Sequence, residues 1–435
     1  MVEIFLLVLL ILTFLKVKVE NGIIILLFLL PFHAFIKNAL AYYLYQGAIF
    51  SYWKEIAILI MLSKTLLIKK KLFVDRNLLA FILAFILIVS FYLIVTPEIK
   101  PAISPLRNHI FTILLFLLFS NFIVRDGFIQ KSLKVLIISF LASYILGFVQ
   151  LYFLKIPLGY LMNRIEYISP GGYIVYTTNS ARILGIERMA GIIGGPNGFG
   201  LFCAISLLYI YIHRYTFLKR FFSKKSIRVM TLVFILGFFS LILSFSRAAL
   251  GIFFVAVFLL NFLSLKRNSL IYLTIPAFLF VVILIAAPRG STIHNVFNKT
   301  FSGKEPSASD RLNQFTLGLE KLQKEPFGHG LGTANNQYPE LKQFFVESAF
   351  LNIIYEIGLV GFLLLSLIYL TIILNTLSNF RQNPYAALSF SIALTTYLAS
   401  FFTVNTYDMP YVFFSCGIIG LGLNKDIRYQ LQIRK

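Results

Sequence analysis

The residues best suited to chemistry are three arginines, one histidine and a few carboxylates, each set in or beside apolar sequence. Arg188 opens the stretch RMAGIIGGPNGFG. Gly191, Gly194, Gly195 and Gly198 there let backbones or a ligand approach closely. Pro196 breaks or kinks a helix, and Asn197 can satisfy a freed backbone group. Arg247 lies in LSFSRAALG, at the turn of a tight helical hairpin. A guanidinium at membrane depth is costly unless paired, and it is shaped for bidentate phosphate binding. A snorkelling or acid-paired arginine is the plainer alternative at both places. Arg311 begins an amphipathic stretch, where a solvated charge is the plainer reading. His329 lies between Gly328 and Gly330 in a turn, as a structural histidine or as a catalytic one.

Glu347 and Ser348 stand where a long polar loop meets the next apolar run. They serve either as helix-capping residues or, for Glu347, as a general base taking a proton from a hydroxyl. Glu356, deeper in that run, and Asp408 are secondary acid candidates, and pairing with an arginine would explain either.

The elements that must position these groups are membrane helices. The chain has 435 residues, 59% hydrophobic and 13% charged, with a mean hydropathy of +0.85. That composition defines an all-α integral membrane protein. Candidate spans fall at roughly 4–15, 22–36, 48–67, 77–95, 109–124, 132–154, 190–213, 229–245, 248–265, 270–287, 345–374, 386–404 and 409–423, about 12–13 transmembrane helices in one polytopic domain. No repeat stands out, and residues 1–14 lack the marks of a cleavable signal. The net charge of +22 comes from basic clusters at 69–71, 125–134, 214–228, 266–267, 381 and 425–435. All of these fall on one side if the helices alternate, which is the positive-inside pattern and not a nucleic-acid surface. The other side carries the connections 96–108, 155–188 and 288–344. The second has hairpin character. The third is a long extracytoplasmic loop with a short amphipathic helix over 310–324, spaced by Leu312, Phe315, Leu319 and Leu322. Cys203 and Cys416 lie in apolar runs, no nucleotide fingerprint or metal-ligand spacing is present, and no cofactor is expected.

Taken in order, RMAGIIGGPNGFG (188–200), SFSRAALG (244–251), DRLNQFTLGLEKLQKEPFGHGLG (310–332) and ESAFLNIIYEIGLVG (347–361) resemble the O-antigen ligase and O-antigen polymerase superfamily of bacterial membranes. The resemblance covers about 188–361. It implies a metal-independent glycosyltransferase at the outer face of the plasma membrane. The donor would be a glycan on undecaprenyl pyrophosphate and the acceptor another glycan, with a chain-length regulator as a possible partner. Arg188, Arg247 and Arg311 match family arginines thought to hold the pyrophosphate, with Glu347, Arg311 and His329 as catalytic candidates. Ligases of the family carry a His-Asn pair where this chain has Glu347-Ser348. The expectation is therefore a polymerase joining repeat units of O-antigen, capsule or exopolysaccharide, with a ligase second. A transporter, the reading from another class, would want more intramembrane polar groups and commonly an internal repeat.

Overall fold

Apolar runs bounded by polar or basic residues fold into helices throughout the chain. The protein is described by a computed structural model over residues 2–44, 49–70, 72, 74–96, 98–125, 127–152, 166–168, 174–176, 182–183, 186–192, 195–215, 222–264, 313, 316–320, 322–334, 348–380, 383–401, 403 and 411–433. The helices are α1 (Val2–Lys16), α2 (Val19–Leu29), α3 (His33–Leu44), α4 (Trp53–Lys69), α5 (Arg76–Val95), α6 (Ile99–Asn121), α7 (Phe128–Tyr152), α8 (Pro196–Tyr215), α9 (Lys224–Leu243), α10 (Arg247–Ser264), α11 (Ala349–Leu377), α12 (Pro384–Ala399), α13 (Tyr411–Leu423) and α14 (Lys425–Ile433). The fold is that of an all-α integral membrane protein. Two small antiparallel hairpins, Glu166–Ile168 with Ile174–Tyr176 and Arg182–Ile183 with Ile186–Glu187, lie in the 155–188 connection.

Seven helices among the described residues are long and apolar enough to cross a membrane: Val19–Lys37, Arg76–Val95, Ile99–Asn121, Phe128–Val149, Pro196–Arg214, Lys224–Leu243 and Ala349–Leu377. The other expected segments form shorter helices (α1, α4, α10, α12 and α13), except 270–287, which lies outside the described residues along with most of the 288–344 loop. Two expectations change. The connection 96–108 is largely helical: α6 already begins at Ile99 and runs through Pro101 and Pro105. A proline in the first turn costs little because its missing N–H would have had no partner. The span expected from 190 begins instead at Pro196, and residues 188–192 are non-helical.

α8 is the central column, buried along almost its whole length, whereas α5 and α9 turn most of their surface outward. Its polar side chains explain how a helix of modest apolarity takes that place. Tyr144 on α7 bonds Ser206, Tyr211 donates to Asn261 on α10 (2.6 Å), and His213 bonds Tyr385 on α12 (2.8 Å). In a low-dielectric interior each such bond also removes an unsatisfied group. α13 lies between α6 and α12, and α11 packs on α5.

The described basic segments around 69, 125 and 425–433 gather at one end. Lys69 pairs with Asp426 at 3.2 Å, Gln430 donates to Val124 O, and the Asn424 amide donates to Phe119 O and Phe122 O. α14 carries part of the basic cluster 425–435. It is a short helix docked on the bundle by Ile427 and Leu431, one turn apart and both buried. The termini of the helices at the opposite end, around Thr96, Arg188, Arg247 and Ser348, carry the candidate chemistry.

Candidate functional site

Two constructions occupy that opposite end. The first joins the segment before α8 to the α9–α10 turn. Phe245 takes a left-handed φ of +48°, unusual for a bulky residue and a sign of backbone held by its surroundings. The turn directs backbone carbonyls at Arg188: Nε donates to Ser244 O at 2.9 Å and Nη2 reaches Phe245 O at 3.5 Å. Nη2 also donates to Asn197 Oδ1 at 2.5 Å. The backbone follows the same path, since Met189 N–H donates to Leu243 O at 2.9 Å. Gly191, at φ +55°, admits the Phe199 ring, which lies 2.3 Å from where a Cβ would stand. Ser246 precedes α10 and accepts from Ala249 N–H, so Arg247 becomes the first residue of the helix.

Arg188 is buried, whereas Arg247 is exposed. The two guanidinium groups are close enough to repel. Burial first, and Arg247 second, push the Arg188 guanidinium down to about 10, so it still carries full charge at neutral pH. Its partners are two carbonyls and an amide oxygen, with no carboxylate among the described residues, and Nη1 donates to none of them. A buried cation beside a second cation, satisfied only by dipoles, favours an incoming anion.

The second construction is a broken helix. α11 is interrupted at Gly358 (φ +72°, ψ −178°). The loop Pro326–Gly330 enters the break and takes over the helix's lost hydrogen bonds. Leu359 N–H donates to Pro326 O (3.0 Å), His329 N–H to Tyr355 O (2.8 Å) and Gly330 N–H to Glu356 O (2.9 Å). Only glycine fits at the crossing: a Cβ on Gly358 would lie 2.6 Å from the Phe327 carbonyl carbon, and one on Gly328 2.5 Å from Gly358 N. The loop is tied also to α5 and α6. Tyr92 donates to Phe327 O, Thr96 Oγ1 donates to Leu331 O (2.9 Å), and Gly332 packs on Pro101.

The sequence-derived candidates sort accordingly. Arg188 and Arg247 are brought together. His329 belongs to the loop: its ring stacks on Tyr355 (4.1 Å between centroids) and Nε2 lies 2.6 Å from Glu325 Oε2. Glu356, expected to pair with an arginine if structural, is buried and instead accepts from Gly332 N–H at 3.0 Å, an anchor for the loop. Ser348 caps α11 by accepting from Leu351 N–H and donates to Ser400 O at the end of α12. Arg311, Glu347 and Asp408 lie outside the described residues. Within the amphipathic stretch, helical residues appear at Asn313, Thr316–Glu320 and Leu322–Lys324, but Gly318 faces inward while Leu319 is exposed. A glycine lets the helix approach closely, which turns the flanking leucines out. Leu312 and Phe315 are outside the described residues. Asn197 Oδ1 accepts from Arg188, and among the described residues no bond from it to a freed backbone group is seen. The roles of Glu325 and Tyr355 were not anticipated; the one available signal was the pairing of a Gly-rich turn with a glycine inside the next apolar run. Among the described residues no three His, Cys, Asp or Glu side chains are grouped to hold a metal ion.

Fold and site together define a polytopic helical membrane protein with an arginine-lined end and a loop threaded into a broken helix. Residues 232–366 match the family model described as O-antigen ligase. The match supports the O-antigen ligase and polymerase superfamily for this chain, whose members are glycosyltransferase-like enzymes. It takes in Arg247, the threaded loop and the Gly358 break, and leaves Arg188 outside. No curated protein matches the chain.

Proposed function

We propose that the protein is a polysaccharide polymerase. It transfers glycan repeat units from undecaprenyl pyrophosphate to an acceptor glycan at the outer face of the plasma membrane, as a single membrane domain. The observation that carries this reading is the Arg188–Arg247 pair, two neighbouring cations with no carboxylate on Arg188 among the described residues. In the reaction the acceptor hydroxyl oxygen bonds the anomeric carbon, the bond from that carbon to the pyrophosphate oxygen breaks, and the lipid pyrophosphate departs with the electron pair. Arg188 and Arg247, joined by Arg311, hold the diphosphate and offset the charge that develops on it. Glu347 takes the hydroxyl proton, and His329 orders the threaded loop. A buried Arg188 bonded only to oxygen dipoles among the described residues suits an anion, and catalysis here needs little more than charge stabilisation and positioning.

The test uses a deletion strain complemented with wild type, Arg188→Ala or Arg247→Ala, with surface glycan and lipid-linked intermediates resolved on gels. Single units in place of a ladder, rescued by wild type and by neither variant despite normal membrane levels, are expected. Wild-type chain lengths in both variants would overturn the site. The family description itself favours a second reading, a ligase; it predicts full-length polymer stranded on the lipid carrier. An unchanged ladder with normal intermediates would return the transport reading.

A further inference from the structure

The end of the molecule opposite the arginine pair holds a basic notch. Helix α1 has 15 residues and is therefore only about 22 Å long, short of a hydrocarbon core of about 30 Å. Its end, at the corner Lys16–Lys18, meets α4 at Lys64, short of the end of α4 at Lys69. A cavity of about 360 Å³ lies at this corner, between α1–α2, the last turns of α4 and the α6–α7 connection. Lys16, Lys18 and Arg125 line it and are exposed. Lys64 also lines it but is spent on structure: its ammonium donates to Phe14 O, Leu15 O and Val17 O at 2.9, 2.7 and 2.8 Å. Those three bonds use all of its hydrogens and cap the α1 terminus. The one acid in the lining, Glu20, accepts from the Arg125 backbone N–H and is faced by Lys131 as well as by Arg125 and Lys18. Cations therefore outnumber acid in the notch. Apolar surface runs directly beside it: Leu67 is 79% and Ile68 60% exposed, and Leu12 and Leu15 on α1 are exposed too.

We propose that this notch is a binding site for an anionic phospholipid, with the phosphate on Lys16, Lys18 and Arg125 and the acyl chains along Leu67, Ile68 and the outer flank of α1. Basic pockets between helices at a positively charged membrane face have this chemistry. A headgroup drawn up into the notch also relieves the mismatch of the short α1. A soluble phosphate would use the cations and leave the flanking leucines unexplained. The proposal is independent of the transfer reaction.

The test places the purified full chain in phosphatidylcholine nanodiscs doped with photoactivatable phosphatidylglycerol or, separately, photoactivatable phosphatidylcholine. Adducts are mapped by mass spectrometry. Adducts on residues 12–20 and 64–70 several-fold above the phosphatidylcholine control, unaffected by excess inorganic phosphate, are expected. Each cation near a membrane surface favours an anionic lipid, so labelling of the combined Lys16→Gln, Lys18→Gln, Arg125→Gln variant should fall several-fold, to the phosphatidylcholine level, while the variant elutes as the wild type does. Equal labelling by the two lipids in the wild type would overturn the proposal without recourse to any variant. So would unchanged labelling in the triple variant, or displacement by inorganic phosphate, which would mean a soluble-anion site.

Discussion

Arg188 is held by a planar fork: Nε on one carbonyl and Nη2 on the Asn197 amide oxygen. Lysine cannot reproduce that geometry. Arg188→Lys should therefore retain part of the charge and lose the orientation. It should also acquire a pH limit. Burial and Arg247 bring the arginine down to about 10, so its charge, and any anion affinity resting on it, persists through neutrality and is lost only as pH rises past that value. A lysine starts about two units lower. The same surroundings would push it below its ordinary value, so transfer by the variant should fall off at a lower pH than that of the wild type. Repeat-unit transfer in isolated membranes between pH 6 and 9 checks this, and parallel profiles would refute it. Asn197→Ala removes a partner without touching the ligand. A loss of roughly tenfold in transfer is expected, from about 1.5 kcal/mol for a hydrogen bond to a charged group. Both arginines were legible as candidates because charges are rare in such apolar sequence. Their partnership was not, because the contact depends on a left-handed Phe245 and a non-helical 188–192 segment, neither of which leaves a mark in local periodicity.

At the level of the element, the break in α11 sets the site apart from a plain bundle. Gly358→Ala would force a Cβ into the Phe327 carbonyl at φ +72°. Strain and overpacking together should cost about 2–4 kcal/mol, read as a lowered unfolding temperature in detergent and reduced accumulation in membranes. Glu356 provides a sharper pair. If its carboxylate serves to accept the Gly332 and Ala334 N–H groups, Glu356→Gln keeps an acceptor oxygen and should leave transfer within about twofold, whereas Glu356→Ala should cost about 1–3 kcal/mol of stability for each orphaned N–H. A large loss of transfer in a well-folded Glu356→Gln would make it an acid of the reaction. The spans themselves were readable because long apolar runs have few alternatives in lipid. The break was not, because glycine inside an apolar run is common in membrane helices; only the loop that fills the gap reveals it.

For the molecule as a whole, the described basic segments gather at one end, and the arginine pair and threaded loop lie at the other. Reporter fusions after Arg228 and at the carboxyl terminus should give cytoplasmic signals, and one near Gly328 an external signal; the opposite pattern would invert the proposed orientation. The alternation of the chain made this division visible in sequence, while the central place of α8 was concealed by its modest apolarity, since a helix surrounded by protein has no need to look like one surrounded by lipid. The threaded break also bears on the order in which the chain assembles. The loop and the helix it interrupts are about 25 residues apart, so they leave the ribosome nearly together. The contacts of Tyr92 and Thr96 with that loop span 235 residues, so α5 and α6 are already made when the loop emerges. Residues 349–377 follow the loop and break at Gly358 where it crosses them. The kink is then a product of maturation, fixed once the loop has docked on the waiting α5 and α6, so that the site is completed only when the two halves of the chain have met.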